Sequence, residues 1–135
     1  VADKRYLNDE YAEIANRLIH ERPELAYIKN SNVSIAYLGS NSRKKQGNMF
    51  VCGQCEKVAD KYKWSVPADF TITVFEPNVR EFDETQMEAL MFHELLHVGI
   101  FKREDGKEIY SCNEHDLTDF KIIIDLYGTN WNERK

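Results

Sequence analysis

A small domain that mixes helices with strands is the architecture this sequence predicts, on three observations. Residues 87–101 form an apolar run containing His93-Glu94-Leu95-Leu96-His97. Phe70-Thr71-Ile72-Thr73-Val74-Phe75 alternates with the period of a strand. Near the start, Leu7, Tyr11, Ile14, Ala15 and Leu18 recur at helical spacing. At 135 residues the chain has room for one domain, residues 1–135, with one modest core. No apolar run approaches the roughly 18–20 residues of a membrane span, so a soluble protein is expected.

The first helix is expected over residues 8–21, with Asn8 as N-cap and Pro23 closing it at or before Arg22. His20, at its end, is expected to be exposed rather than a ligand. Residues 33–38 read as a half-buried strand, 39–47 as a polar loop and 48–52 as another short strand. Together they suggest a hairpin with a long tip. Cys55, Val58, Ala59 and Tyr62 have helical spacing and predict a short helix or turn before Pro67. Phe70–Phe75 is the strongest strand signal, with Phe70, Ile72 and Val74 pointing one way.

The helix carrying the two histidines has a well-marked start. Asp83 can cap it, Gln86 stands at the capping-box position, and Phe82 can pack on Met87 as a hydrophobic staple. Ala89, Leu90, Leu95, Leu96, Val98 and Ile100 fall nearly all round it, which predicts a buried central helix. It is expected to run past His97 and loosen near Gly99, with Gly106 marking the next turn. The last helix is expected to open near Ser111 or Asn113 and end before Gly128. Leu117, Phe120, Ile124 and Tyr127 make one of its faces; His115, Asp119, Ile122 and Leu126 make another.

Residues four apart on a helix share a face, so His93 and His97 can aim both imidazoles at one metal ion with Glu94 beside them. Burying these three side chains without partners would cost about 1–3 kcal/mol for each unsatisfied group, and a metal removes that cost. A catalytic Zn²⁺ takes about four ligands, roughly three from the protein and one water, and Glu94 would take the proton from that water. His115, on a helix apolar on two sides, is the expected third ligand. Asp119 lies over the same face as His115 and is a candidate carboxylate for orienting a ligand imidazole. Tyr110 is an oxyanion donor by residue type alone, and a packed tyrosine is the plainer reading. In the H-E-x-x-H-x-x-G-x-x-H class the glycine falls three residues after the second histidine; here Gly99 comes one residue early and position 103 is Arg, so the chain is not of that class.

Composition bounds the partners. A formal charge of −5 argues against a general nucleic-acid coat, although Arg43, Lys44 and Lys45 offer one local basic loop. Three cysteines, an odd number, suit a reducing compartment, and the N-terminal residues lack the apolar stretch of a secretory signal, so a cytoplasmic protein is expected. Cys52-Gly53-Gln54-Cys55 has C-x-x-C spacing but lacks the further ligands of a second zinc site; thiols with Cys55 facing a core are expected.

Several stretches together resemble the metallopeptidase family of bacteriophages and prophages, a small zincin-like group reminiscent of SprT-like domains. They are Cys55-Glu56-Lys57-Val58, Phe70 to Val74, Met91 to His97, His115-Asp116-Leu117-Thr118-Asp119-Phe120 and Tyr127-Gly128. The resemblance implies an α+β zincin-like fold, a short antiparallel or mixed sheet packed against the central H-E-x-x-H helix and further helices. It also implies His93, His97 and His115 as ligands and Glu94 as the catalytic carboxylate. A zinc metallopeptidase with one Zn²⁺ per chain, acting on a protein or peptide, is the expectation; the Phe70–Val74 strand would pair with an extended substrate if it lay at a sheet edge. Another metal-dependent hydrolase, such as a phage cell-wall amidase, and a non-catalytic module stapled by metal stay open.

Overall fold

The computed structural model describes residues 4–114 and 120–132. In chain order its elements are β1 (Arg5–Leu7), α1 (Asp9–Glu21), a 3₁₀ turn (Pro23–Leu25) running into α2 (Ala26–Lys29), β2 (Ile35–Ser40), β3 (Lys45–Gln46), β4 (Met49–Phe50), β5 (Gly53–Lys57), a 3₁₀ turn (Asp60–Tyr62), β6 (Phe70–Phe75), a 3₁₀ turn (Glu76–Asn78), α3 (Glu84–Leu96), β7 (Val98–Lys102), β8 (Glu108–Cys112) and α4 (Lys121–Tyr127). One mixed sheet has the order β1-β2-β6-β5, with β2 and β6 parallel and the other pairs antiparallel. Two short hairpins, β3–β4 and β7–β8, stand outside it. The fold is therefore α+β, as expected.

The alternating run of β6 explains its central place. Phe70, Ile72 and Val74 are fully buried and join the main core. Thr73 and Phe75, on the opposite face, are also fully buried, so both faces are covered. Arg5 supplies part of that cover, donating from Nη1 to Thr73 Oγ1 at 3.3 Å, while its guanidinium and the Lys44 ammonium lie 5.7 and 5.4 Å from the Phe75 ring centre. Long basic side chains cover apolar surface in this way while keeping their charge near water.

α1 is capped as expected: the Asn8 side chain accepts from the Glu10 and Tyr11 amides, and Tyr11, Ala15 and Leu18 are buried. α3 packs on α1 and along β5. Its capping box is present, with Gln86 N–H donating to Asp83 Oδ1 at 2.8 Å and Asp83 N–H to Gln86 Oε1 at 3.0 Å. Ala89, Leu90, Met91, Phe92 and Leu95 are buried, which makes α3 the central helix.

Other expectations are corrected. Leu7 belongs to β1 and is 73 % exposed, not part of the first helix. β2 pairs with β1 and β6 rather than forming a long-tipped hairpin with the following strand; the hairpin in that region is the two-residue pair β3–β4, closed at Gly47 with φ +62°. Cys55 lies in β5, where pairing with β6 overrides its helical spacing to Val58 and Ala59. β6 sits between β2 and β5, so it offers no free edge for a substrate. α3 ends at Leu96 with His97 as its C-cap, and the chain turns at once into β7. Ser111 lies in β8 rather than opening a helix, and among the described residues the last helix is α4, Lys121–Tyr127; residues 115–119 of the expected helix lie outside the described residues. Gly106 and Gly128 do turn the chain, at φ +86° and +81°.

Candidate metal centre

His93, Glu94 and His97 converge, their ligand atoms all within 4.8 Å of one another. His93 Nε2 lies 3.3 Å from His97 Nε2 and 3.9 Å from Glu94 Oε2. Two imidazoles bound about 2.0–2.1 Å from one tetrahedral Zn²⁺ would hold their nitrogens about 3.4 Å apart, so this spacing fits a shared ion. Glu94 is buried at 4 % exposure, and the two histidines are half-buried.

The backbone beyond α3 orients His97. Its Nδ1 stands 2.7 Å from the Asn113 carbonyl, a contact that requires Nδ1 to carry the proton and leaves the Nε2 lone pair directed at the cluster. The same residue closes the helix: Asn113 N–H donates to the His97 carbonyl at 2.7 Å, and its side-chain amide donates to the Leu96 and Val98 carbonyls at 3.1 and 3.3 Å. Orphan carbonyls at the helix end are thereby satisfied. Tyr27 adds a donor from the other side, its hydroxyl 2.7 Å from the Val98 carbonyl. Burial, and secondarily the neighbouring Cys55 thiol, push the Tyr27 pKa up to about 12.

Two glycines make room for these contacts. At Gly99 a Cβ would stand 2.6 Å from both Asn113 Oδ1 and the Ser111 carbonyl, a distance real Cβ atoms do not adopt. At Gly53 a Cβ would lie 3.1 Å from Glu94 Oε2 and Leu90 Cδ1. Aromatic rings complete the surroundings. Phe120 meets both imidazoles edge-on, 5.5 Å from His93 and 5.0 Å from His97, and Trp131 lies 5.7 Å from His93.

Of the site residues read from the sequence, His93, Glu94 and His97 come together. His115 and Asp119 fall on residues 115–119, outside the described residues. Tyr110 is committed elsewhere, donating to Glu108 Oε1 at 2.7 Å with its ring edge-on to Phe70; burial and that bond push its pKa upward. His20 is exposed. Cys55 packs on the core and burial raises its thiol pKa, while Cys112 donates to the Cys55 carbonyl; no disulfide joins the cysteines. In the basic loop, Lys44 bonds Gln54 Oε1 at 2.8 Å and Lys45 stacks on Phe50.

The sequence reading missed Asn113, Gly53, Gly99, Phe120 and Trp131 as parts of the centre. Only Gly99 carried a usable signal, because a lone glycine in a Val-Gly-Ile-Phe run marks close backbone approach in a strand.

Nitrogen donors beside a carboxylate, without thiolate, suit a divalent metal used for hydrolysis. The class defined by this fold and donor set is thus that of a candidate metallohydrolase. More narrowly, the chain belongs to the family described as "Putative phage metallopeptidase", whose family model matches residues 4–134, and at the level of that family it is a metal-dependent peptidase. No curated protein and no solved structure matches the chain. Among the described residues no helix is long and apolar enough to cross a membrane.

Proposed function

We propose that the protein is a zinc-dependent peptidase whose ligands are His93, His97 and His115 and whose general base is Glu94. The observation carrying this reading is the 3.3 Å approach of two Nε2 atoms beside a buried carboxylate. Zinc held there would make water acidic enough to lose a proton near neutral pH and would polarise the scissile carbonyl. Glu94 takes the proton from water and hands it to the leaving amine, a role favoured by its burial one residue from a ligand. Asn113 fixes the His97 tautomer.

His115 as third ligand draws support from both flanks of its segment. Asn113, two residues before it, touches His97, and two residues span at most about 7 Å. Phe120, on the other flank, lies edge-on to both imidazoles, and Asp119 keeps its proposed role of orienting a ligand imidazole. The substrate is a protein or peptide, and a cytoplasm, of the bacterial host or the phage-infected cell, suits the cysteine usage.

Metal analysis and cleavage of a peptide library by the zinc-loaded protein test the reading. Glu94→Gln should keep the fold and one zinc per chain while lowering hydrolysis by about 10²–10⁴-fold, because the amide keeps the shape and loses the basicity. Equal cleavage by both proteins would remove Glu94 from the mechanism. His115→Ala should lose zinc; full affinity there, with loss in Glu114→Ala or Asp119→Ala, would displace His115 from the ligand set.

A further inference from the structure

Beside the candidate metal centre opens a cleft of about 470 Å³, within the roughly 300–1,000 Å³ range of ligand sites. Leu90, His93 and Glu94 line it from α3, Met49 and Phe50 line it from the β3–β4 hairpin, and Trp131 contributes from the segment after α4. Met49 is 69 % and Phe50 43 % exposed. Large apolar side chains left in water next to reactive groups mark a binding surface when they share a cleft with them.

A hairpin with two-residue strands has no core of its own and would not hold such a surface in place unaided. Here its base is fastened. Asn78, 2 % exposed, donates its side-chain amide to the Lys44 and Val51 carbonyls at 3.0 and 2.7 Å, and Val51 N–H donates to the Lys44 carbonyl at 2.9 Å. A buried amide thus clamps the two ends of an exposed apolar hairpin, an arrangement that a solvated loop does not require. Lys45 lies 4.8 Å from the Phe50 ring centre and covers part of it, so Met49 is the more accessible of the pair.

We infer that this cleft receives a large apolar side chain, aromatic or of the leucine and methionine kind, from the peptide being cut, and that Met49 and Phe50 set this preference. Met49, unbranched and adaptable, favours a class of side chains over a single one. Trp131 adds flat apolar surface, and Asn78 positions the hairpin. The inference rests on the peptidase reading above, and its test separates the two.

A peptide library randomised around the cut is incubated with zinc-loaded wild type, Met49→Ser, Phe50→Ser and Met49→Glu. The expected result is enrichment of Phe, Leu and Met at one position. For those peptides kcat/KM should fall about tenfold in either serine variant, the scale set by losing apolar contact in a pocket. Met49→Glu should shift the preference toward Lys and Arg, and its exposed position leaves the fold intact. In a second arm, Glu94→Gln protein, with and without Met49→Glu, is bound to an immobilised form of the same library, so that recognition is read without turnover. Apolar-selective binding abolished by Met49→Glu, with no cleavage by wild type, would sink the peptidase reading and keep the subsite. Cleavage without side-chain preference, or with one that Met49→Glu leaves unchanged, would overturn the subsite and keep the peptidase. Absence of both cleavage and apolar-selective binding would overturn both.

Discussion

The two hairpins beside α3 serve the centre in opposite ways. β7–β8 acts through its backbone, bringing the Asn113 carbonyl to His97 and closing the helix end, while its exposed Phe101 and Ile109 side chains line no part of the cleft. β3–β4 acts through its side chains, since Met49 and Phe50 face the cleft from a ladder only two residue pairs long. The difference teaches where the chain tolerates change. A backbone device fails when a single atom blocks the approach, whereas a side-chain wall can be exchanged residue by residue.

The largest effect expected from this contrast is at Gly99. Its would-be Cβ meets a backbone carbonyl at 2.6 Å, which cannot rotate away, so Gly99→Ala should cost about 1–3 kcal/mol by denaturant unfolding and, on the proposed ligand set, weaken metal binding through His97. Unchanged stability and metal affinity would show that the hairpin does not hold His97 in place. Gly53→Ala makes the milder counterpart. There the neighbours at 3.1 Å are ends of the flexible Glu94 and Leu90 side chains, so stability should move by less than about 1 kcal/mol while hydrolysis falls severalfold as the carboxylate is displaced. A loss of stability equal to that of Gly99→Ala would erase the distinction between the two sides.

A third effect is alkaline. Tyr27 has its pKa raised from 10.0 to about 12 by burial, so the folded state keeps a proton that the unfolded state releases. Its contribution is whole below pH 10 and is lost as pH rises toward about 12. Tyr27→Phe should cost about 0.5–1.5 kcal/mol at neutral pH by losing the bond to the Val98 carbonyl, and should flatten part of the stability decline in that window. An identical decline in wild type and variant, followed by thermal melting across pH, would assign it to other groups.

Local chemistry was legible in the sequence where it was self-contained. Asp83 and Gln86 exchange bonds within one turn, Asn8 caps its own helix, and β6 alternates strongly enough to be read alone. The spacing of His93 and His97 likewise encodes their meeting without reference to the rest of the chain. What the sequence hid was settled by partners far away. Val98 to Phe101 prolongs the apolar run of α3 without a change of composition, and only its register against Ile109 to Cys112 makes it a strand. Periodicity cannot separate a helix end from a short buried strand in such a run. Asn113, one of the two residues near which the last helix was expected to open, instead closes the C-terminus of α3 through bonds to residues far back in the chain.

The β7–β8 ladder is complete, from Val98 opposite Cys112 to Lys102 opposite Glu108, before the chain reaches its tip. Arg103 N–H to the Lys107 carbonyl and Gly106 N–H to the Arg103 carbonyl close that tip on itself, and residues 103–107 are exposed. Length at the tip is therefore uncoupled from register at the base. A reporter peptide or an immobilisation handle spliced between Glu104 and Asp105 would extend into water while the strands kept His97 and Asn113 in step, which makes this end of the hairpin a grafting point for labelling the protein without touching its chemistry.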